Sequence, residues 1–303
     1  GNMTPSADAP PFVVVCGPPG CGKTIDIVRA VGSSAVVAAA EGALKPVKPV
    51  LGIDVMAEYP AKTVEEATKA LMQIRKVVAN GAKRKPLYYV ADEFSYMAER
   101  TWSALETRIN GYRLWGMMRK IVIDFRDAAR EAGVGIIVNC WDQGPTTKSS
   151  GKFVRGGPKL PSDLPEQFPG IADFIFLCEH DATVQPWPWR YRTRGDQNWA
   201  LKDRSHTTPS PAPMNLGEVL RASGYDVPYP VPMQALEGSI DGLAQHLGMV
   251  DPSQVMPVCE QAYQIIVNQG TDPRYAKWAV SDARARAALR QSHTLRWASF
   301  AAL

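Results

Sequence analysis

Paired metal or disulfide chemistry is missing from this 303-residue chain. Its five cysteines, Cys16, Cys21, Cys140, Cys178 and Cys259, stand singly with no C-x-x-C among them. Its four histidines, His180, His206, His246 and His293, form no ligand-spaced cluster. A structural zinc and a disulfide framework are disfavoured on both counts, and a reducing compartment, the cytoplasm, fits best. Cys16, Cys140 and Cys178 lie in apolar runs and read as small buried hydrophobes. No apolar stretch is long enough to span a bilayer, and no basic-then-apolar export signal opens the chain, so no membrane partner is expected. Charge of one sign is scarce as well. Lys and Arg number 34 against 30 Asp and Glu, a formal net charge of +4. That balance permits a nucleic-acid partner and does not require one. There is no internal repeat and no low-complexity tract.

What is present starts with one motif. Gly17-Pro18-Pro19-Gly20-Cys21-Gly22-Lys23-Thr24 matches G-x-x-x-x-G-K-[ST] in full. The apolar, β-branched run Phe12–Cys16 before it reads as a buried strand. Ile25 and the residues after it read as a helix, which is the context a P-loop needs. Glycines let successive N–H groups curl toward an anion, and the helix N-terminus adds its positive dipole end. Lys23 then reaches the β- and γ-phosphates of ATP, and the Thr24 hydroxyl ligates Mg2+. A chance glycine turn is the competing reading.

A metal-bound phosphate also needs an acidic strand end. Leu87–Val90 continues into Ala91-Asp92-Glu93, so Asp92 takes the magnesium shell and Glu93 the base that polarises the attacking water. Glu41, which follows the apolar run Ala35–Ala40, competes for the base. The strand Gly133–Cys140 ends in polar Asn139, a γ-phosphate sensor candidate, with Gln143 the second choice and an ordinary satisfied asparagine the alternative.

Strands alternating with helices predict an α/β fold with a mainly parallel sheet covered on both faces, the ligand lying at the strands' carboxyl ends. Thr63 to Gly81 reads as an amphipathic helix with Thr63 as N-cap and Asn80-Gly81 as its stop. Trp102 to Arg130 reads as one long helix with its stripe in the core. Asp142 to Gly170, rich in Gly, Pro, Ser and Lys, reads as a long loop without evident structure, either functional or a surface excursion. Within it Lys148, Lys152 and Arg155 suit phosphates along a single strand of DNA, and Phe153 offers a face for base stacking. Trp187–Thr193 and Asn198–Lys202 suggest a hairpin across Arg194–Asp196. Alternation after it puts Lys202 and Arg204 on one face, able to reach one triphosphate or, in a ring or filament, a neighbour's. An exposed salt-bridging pair is the plainer reading of those two. A Pro-rich stretch, 207–215, reads as a linker between a core at 11–206 and a mostly helical region at 216–303, whose last helix carries Arg284, Arg286, Arg290 and Arg296.

The glycine loop, the YYVADE strand, the polar strand end and the K-x-R of Lys202 and Arg204 together resemble the RecA-like branch of P-loop ATPases. The segments RGGPKLPSDLPEQFPGIADFIF, NWALKDRSH and NLGEVLRASGYDVP are similar to bacteriophage-encoded AAA/RecA-like nucleotide-binding proteins associated with recombination and single-strand annealing. The resemblance covers Pro11 to Pro228. It implies a RecA-like P-loop NTPase core and an ATPase with ATP and Mg2+ as ligands. It also implies single-stranded DNA as partner, a homo-oligomer, and host cytoplasm as location. A DNA-translocating motor and a nucleotide-gated scaffold with negligible hydrolysis are the alternatives. The Asn-Cys-Trp end of the sensor strand departs from the His or Gln of relatives, and the Asp-Glu pair is more AAA-like than RecA-like.

Overall fold

Strands that are apolar on both sides need cover on both faces, and the chain supplies it. The computed structural model describes residues 10–40, 42–79, 85–183 and 188–301. β1 (Phe12–Cys16) leads through the glycine loop to α1 (Lys23–Val31) and β2 (Ala35–Ala39). α2 (Val47–Leu51), β3 (Ala57–Pro60) and α3 (Val64–Ala79) follow. β4 (Tyr88–Ala91) runs into α4 (Phe94–Glu106), α5 (Tyr112–Ala132) and then β5 (Gly135–Cys140). Four short strands come next: β6 (Asp142–Gln143), β7 (Thr146–Thr147), β8 (Phe153–Val154) and β9 (Gly157–Pro158). They precede α6 (Leu164–Ile171), β10 (Phe174–His180), β11 (Trp189–Arg192), β12 (Lys202–Asp203) and β13 (Ala212–Pro213). Helices close the chain: α7 (Leu216–Ala222), α8 (Val231–Gln234), α9 (Glu237–Leu247), α10 (Val255–Asn268) and α11 (Pro273–Ala301).

The expected α/β architecture is present. One sheet runs β13-β11-β10-β1-β5-β4-β2-β3, with β12 also on β10. The six strands from β10 to β3 are parallel, and β11, β12 and β13 are antiparallel to their partners. Alternation divides each strand between two apolar clusters. Val13, Val15, Val90 and Ile137 face α1 and the carboxyl-terminal helices. Phe12, Val14, Tyr89, Ile136 and Val138 face α3, α4, α5 and α6. On that second face Phe12, Tyr89, Phe94 and Phe168 pack around one another and Phe125 with mostly edge-on rings, which helps bind the helical layer to the sheet.

Several boundaries differ from the sequence reading. The helix predicted over Trp102–Arg130 is two, broken at Asn110-Gly111, where Gly111 adopts φ 60. Tyr112, which helical spacing from Leu105 and Ile109 puts in that stripe, is 96% exposed in consequence. The segment 142–170 is structured: β6 pairs with β9, β7 with β8, and α6 begins at Leu164. Among the described residues no hairpin joins β11 to the chain at 198–202. β11 instead pairs with β10 and β13, while β12 takes the other end of β10. The 207–215 stretch is no free linker, because β13 adds to the sheet and Thr208, Ala212, Met214 and Asn215 are buried. The helices after it share a single apolar cluster with α1 and the sheet. Thr63 does cap α3, its hydroxyl accepting from Glu66 N–H at 3.2 Å. Asn80-Gly81, Trp187 and the side chain of Arg296 lie outside the described residues.

Candidate functional site

The site is built where β1, β5 and β4 end side by side. β5 lies between the other two, with Val15 opposite Asn139 and Ala91 opposite Val138. Asp92 follows Val90, and Asn139 follows Ile137, each by two residues. Both therefore face α1, as Val90 and Ile137 do. Three side chains meet there. The Thr24 hydroxyl donates to Asp92 Oδ1 at 3.0 Å, and Asn139 Nδ2 donates to the same oxygen at 2.5 Å and to Thr24 Oγ1 at 3.0 Å. Asp92 is only 4% exposed. Burial raises its carboxyl above the ordinary range despite the opposing hydrogen bonds from Asn139 and Thr24.

The glycine loop closes over this triangle. Gly20 and Gly22 hold φ 79 and φ 88, a left-handed conformation that side chains with a Cβ resist. Among the described residues, the backbone N–H groups of Gly20, Gly22 and Thr24 have no acceptor within the chain, while that of Lys23 turns to the Cys21 thiol. They sit at the start of α1, where the helix dipole is positive. Lys23 is buried, its ammonium donating to the carbonyls of Gly17 and Pro18 at 2.8 Å each. Pro18 is half-buried, Pro19 exposed, Cys21 buried and Ile25 half-buried, so the motif forms one continuous rim. The arrangement can hold an anion on free N–H groups and a hard cation on Thr24 and Asp92.

Gly17 is glycine for a different reason. Its φ is not left-handed, but a Cβ there would lie 2.7 Å from the Cβ of Cys178 on β10. Gly17→Ala is expected to cost about 1–3 kcal/mol, read as a lower urea midpoint at unchanged m-value. Unchanged stability would show that β10 can withdraw freely.

Glu93 sits directly after Asp92 with φ 58 and ψ 42, a strained setting for a residue with a Cβ, and it caps the start of α4. Its carboxyl, half-buried and without a hydrogen-bond partner among the described residues, is raised by burial and then by the charge of Asp92. Glu41 lies outside the described residues. Gln143 is held in the β6–β9 ladder opposite Gly157, whereas Asn139 is in the triangle.

Lys202 and Arg204 are placed elsewhere. β12 pairs with Phe174 and Ile175, the amino-terminal end of β10, while the glycine loop adjoins its carboxyl-terminal half. Lys202 donates to the carbonyls of Pro169 and Ala172 at 2.6 and 2.9 Å, and Arg204 pairs with Asp173 at 2.6 Å. Neither reaches a triphosphate on its own chain's loop, contrary to the expectation from alternation. The K-x-R instead holds the α6–β10 junction. Lys148 and Lys152 both pair with Asp163, and Arg155 takes Glu166 with two nitrogens. Phe153 is exposed. Arg286 of α11 turns inward to Glu218, and with Arg290 it binds Asp241.

The sequence reading missed what anchors α1 from behind. Asp26, buried in its first turn, accepts from the Tyr191 hydroxyl, from Leu216 N–H at 3.0 Å and from Arg29 at 3.1 Å. Only an acidic residue in the first turn of the helix after the glycine loop hinted at it. No protein-family model matches the chain, and no curated protein matches it in sequence.

Proposed function

We propose that the chain is a P-loop ATPase of RecA-like type that binds ATP with Mg2+ and hydrolyses it while acting on single-stranded DNA. The observation that carries this reading is the convergence of Thr24, Asp92 and Asn139 beneath a loop with three free N–H groups, those of Gly20, Gly22 and Thr24. In it the loop N–H groups and the α1 terminus bind the phosphates, and Lys23 exchanges the Gly17 and Pro18 carbonyls for β- and γ-oxygens. Thr24 and Asp92 hold magnesium, which when bound supplies charge against the phosphate oxygens. A cation there also compensates the buried Asp92 carboxylate. Asn139 orients that carboxylate and would sense the γ-phosphate. Glu93 accepts the proton of the attacking water.

The DNA half of the reading rests on the structured loop after β5. A strand backbone there competes with Asp163 and Glu166 for Lys148, Lys152 and Arg155, so binding is strongest at low salt. In a ring or filament, Arg204 is the member of its pair open to a neighbour, with 64% of its side chain exposed. Among the described residues no helix is long and apolar enough to cross a membrane.

ATP turnover measured with and without single-stranded DNA tests the proposal. Magnesium-dependent turnover, abolished by chelation and stimulated by the DNA, is the expected result. Absence of ATP binding with magnesium present would overturn it. ATP binding with DNA binding but negligible turnover would favour the nucleotide-gated scaffold, and ATP-driven strand displacement the motor.

A further inference from the structure

Two thiols meet under the glycine loop. A Cβ built on Gly17 would stand 3.2 Å from Cys21 Sγ and 3.3 Å from Cys178 Sγ, so both sulfurs fill the notch left by that missing side chain. Cys21 and Cys178 are close enough that each shifts the other's ionisation. The Lys23 ammonium lies 3.7 Å from Cys21 Sγ, an electropositive neighbour of the kind that favours a thiolate. The Cys21 thiol is held below the usual thiol range, chiefly by the neighbouring Cys178 thiol and against burial, with Lys23 assisting. The other two thiols at this end of the sheet differ. Cys16 and Cys140 are register partners on β1 and β5, and burial raises both. Cys16 Sγ donates to the Phe176 carbonyl at 3.4 Å. Among the described residues neither hydrogen-bonds a cation, whereas Cys21 meets the Lys23 ammonium.

We propose that Cys21 and Cys178 are an oxidisable dithiol, which a peroxide closes to a disulfide that ties the glycine loop to β10 and disables it as an anion cradle. The tie itself follows from the sulfur contact, while the loss of the cradle rests on the function proposed above. The Cys21 thiolate attacks one oxygen of hydrogen peroxide. The O–O bond breaks, and the hydroxide released takes a proton and leaves as water, with Cys21 now a sulfenic acid. Cys178 then attacks the Cys21 sulfur and gives up its proton. The S–O bond breaks, and hydroxide plus that proton leave as a second water. Two thiols and one peroxide thus yield one disulfide and two waters. Cys21 is itself buried, so the oxidant must pass Pro19 and Gly20, the exposed tip of the loop beside it. Closing the bond draws Cys21 toward β10 and moves the N–H groups of Gly20 and Gly22 with it. A phosphate cradle tolerates only about 0.5 Å of such displacement.

The test uses the full chain, reduced and then treated with hydrogen peroxide, alkylated, digested and mapped by mass spectrometry. The expected result is a loss of about 2 Da held in one Cys21–Cys178 linked peptide and reversed by dithiothreitol. ATP affinity should fall at least about 10-fold on oxidation and return on reduction, with the affinity of Cys178→Ala unaffected by peroxide. A bond between Cys16 and Cys140, a sulfinic acid at Cys21 beside an alkylated Cys178, or no mass loss would overturn the dithiol. A Cys21–Cys178 bond with unchanged ATP affinity would overturn the locking. The mapping needs no nucleotide and no variant. Reduced protein that fails to bind ATP therefore counts against the proposed function, while the dithiol is still decided.

Discussion

Glu93→Gln is expected to lower ATP turnover by about 10²–10⁴-fold, the range for loss of a general base, and to leave magnesium-dependent ATP binding in place. Glu93 adjoins the Asp92 carboxylate, which faces Thr24, and its own carboxyl has no partner to satisfy among the described residues. A free carboxylate beside a metal site is placed to accept a proton from water. Gln keeps the size and the left-handed backbone setting, so the fold is not the variable. Stopped single-turnover hydrolysis together with equilibrium ATP binding separates the two effects. The pH profile adds a second reading. A base works deprotonated, and burial and Asp92 raise the Glu93 carboxyl. The rate should therefore fall as pH falls through a value above the ordinary glutamate pKa of about 4.3. That limb should vanish in Glu93→Gln. If turnover in the variant is unchanged, Glu41 becomes the base.

The largest stability effect is expected at Asp26. Its carboxylate is 5% exposed and holds the Tyr191 hydroxyl, Leu216 N–H and Arg29 together. Asp26→Ala leaves a buried hydroxyl and a helix N-terminal N–H without their acceptor. It also leaves Arg29 with Ser281 Oγ at 3.4 Å and the distant Asp282 at 3.9 Å. Breaking a buried charged group of this kind costs about 3–5 kcal/mol. Asp26→Asn, which keeps an acceptor, should lose about 1–2 kcal/mol. Urea unfolding of both variants measures this, and a loss under about 1 kcal/mol for Asp26→Ala would show that the network relaxes around the gap. The residue links the start of α1, beside the glycine loop, to β11 and to the first turn of α7. Loosening it should also weaken ATP binding, through misplacement of the loop rather than a lost contact.

The candidate site was legible because its parts are local. Gly17–Thr24 carries its own turn glycines, free N–H groups and lysine within eight residues. Asp92 and Asn139 each close an apolar run, and strand alternation is enough to point both at one helix. The break at Asn110-Gly111 was equally visible, but the apolar stripe on either side outweighed it. The short strands between 142 and 158 were not visible, since two-residue ladders leave no periodicity to read. Lys202 and Arg204 failed for another reason. Alternation sets which face a residue takes, but which end of the sheet a strand joins depends on its partner, and β12 joined the start of β10.

By itself the sequence determined an α/β chain with a parallel, doubly covered sheet and a glycine loop, a hydroxyl and a carboxylate suited to one another. Those follow from spacing within a few residues, where the backbone leaves few choices. Tertiary structure alone decided that β5 lies between β1 and β4, so that Asn139 bonds both Thr24 and Asp92, and that Cys178 lies beneath Gly17. It also decided that the helices after 215 lock α1 through Asp26. The Asp26 contacts with Tyr191 and Leu216 join residues 165 and 190 positions apart. Such partners are chosen by strand order and layer packing, which no local pattern records.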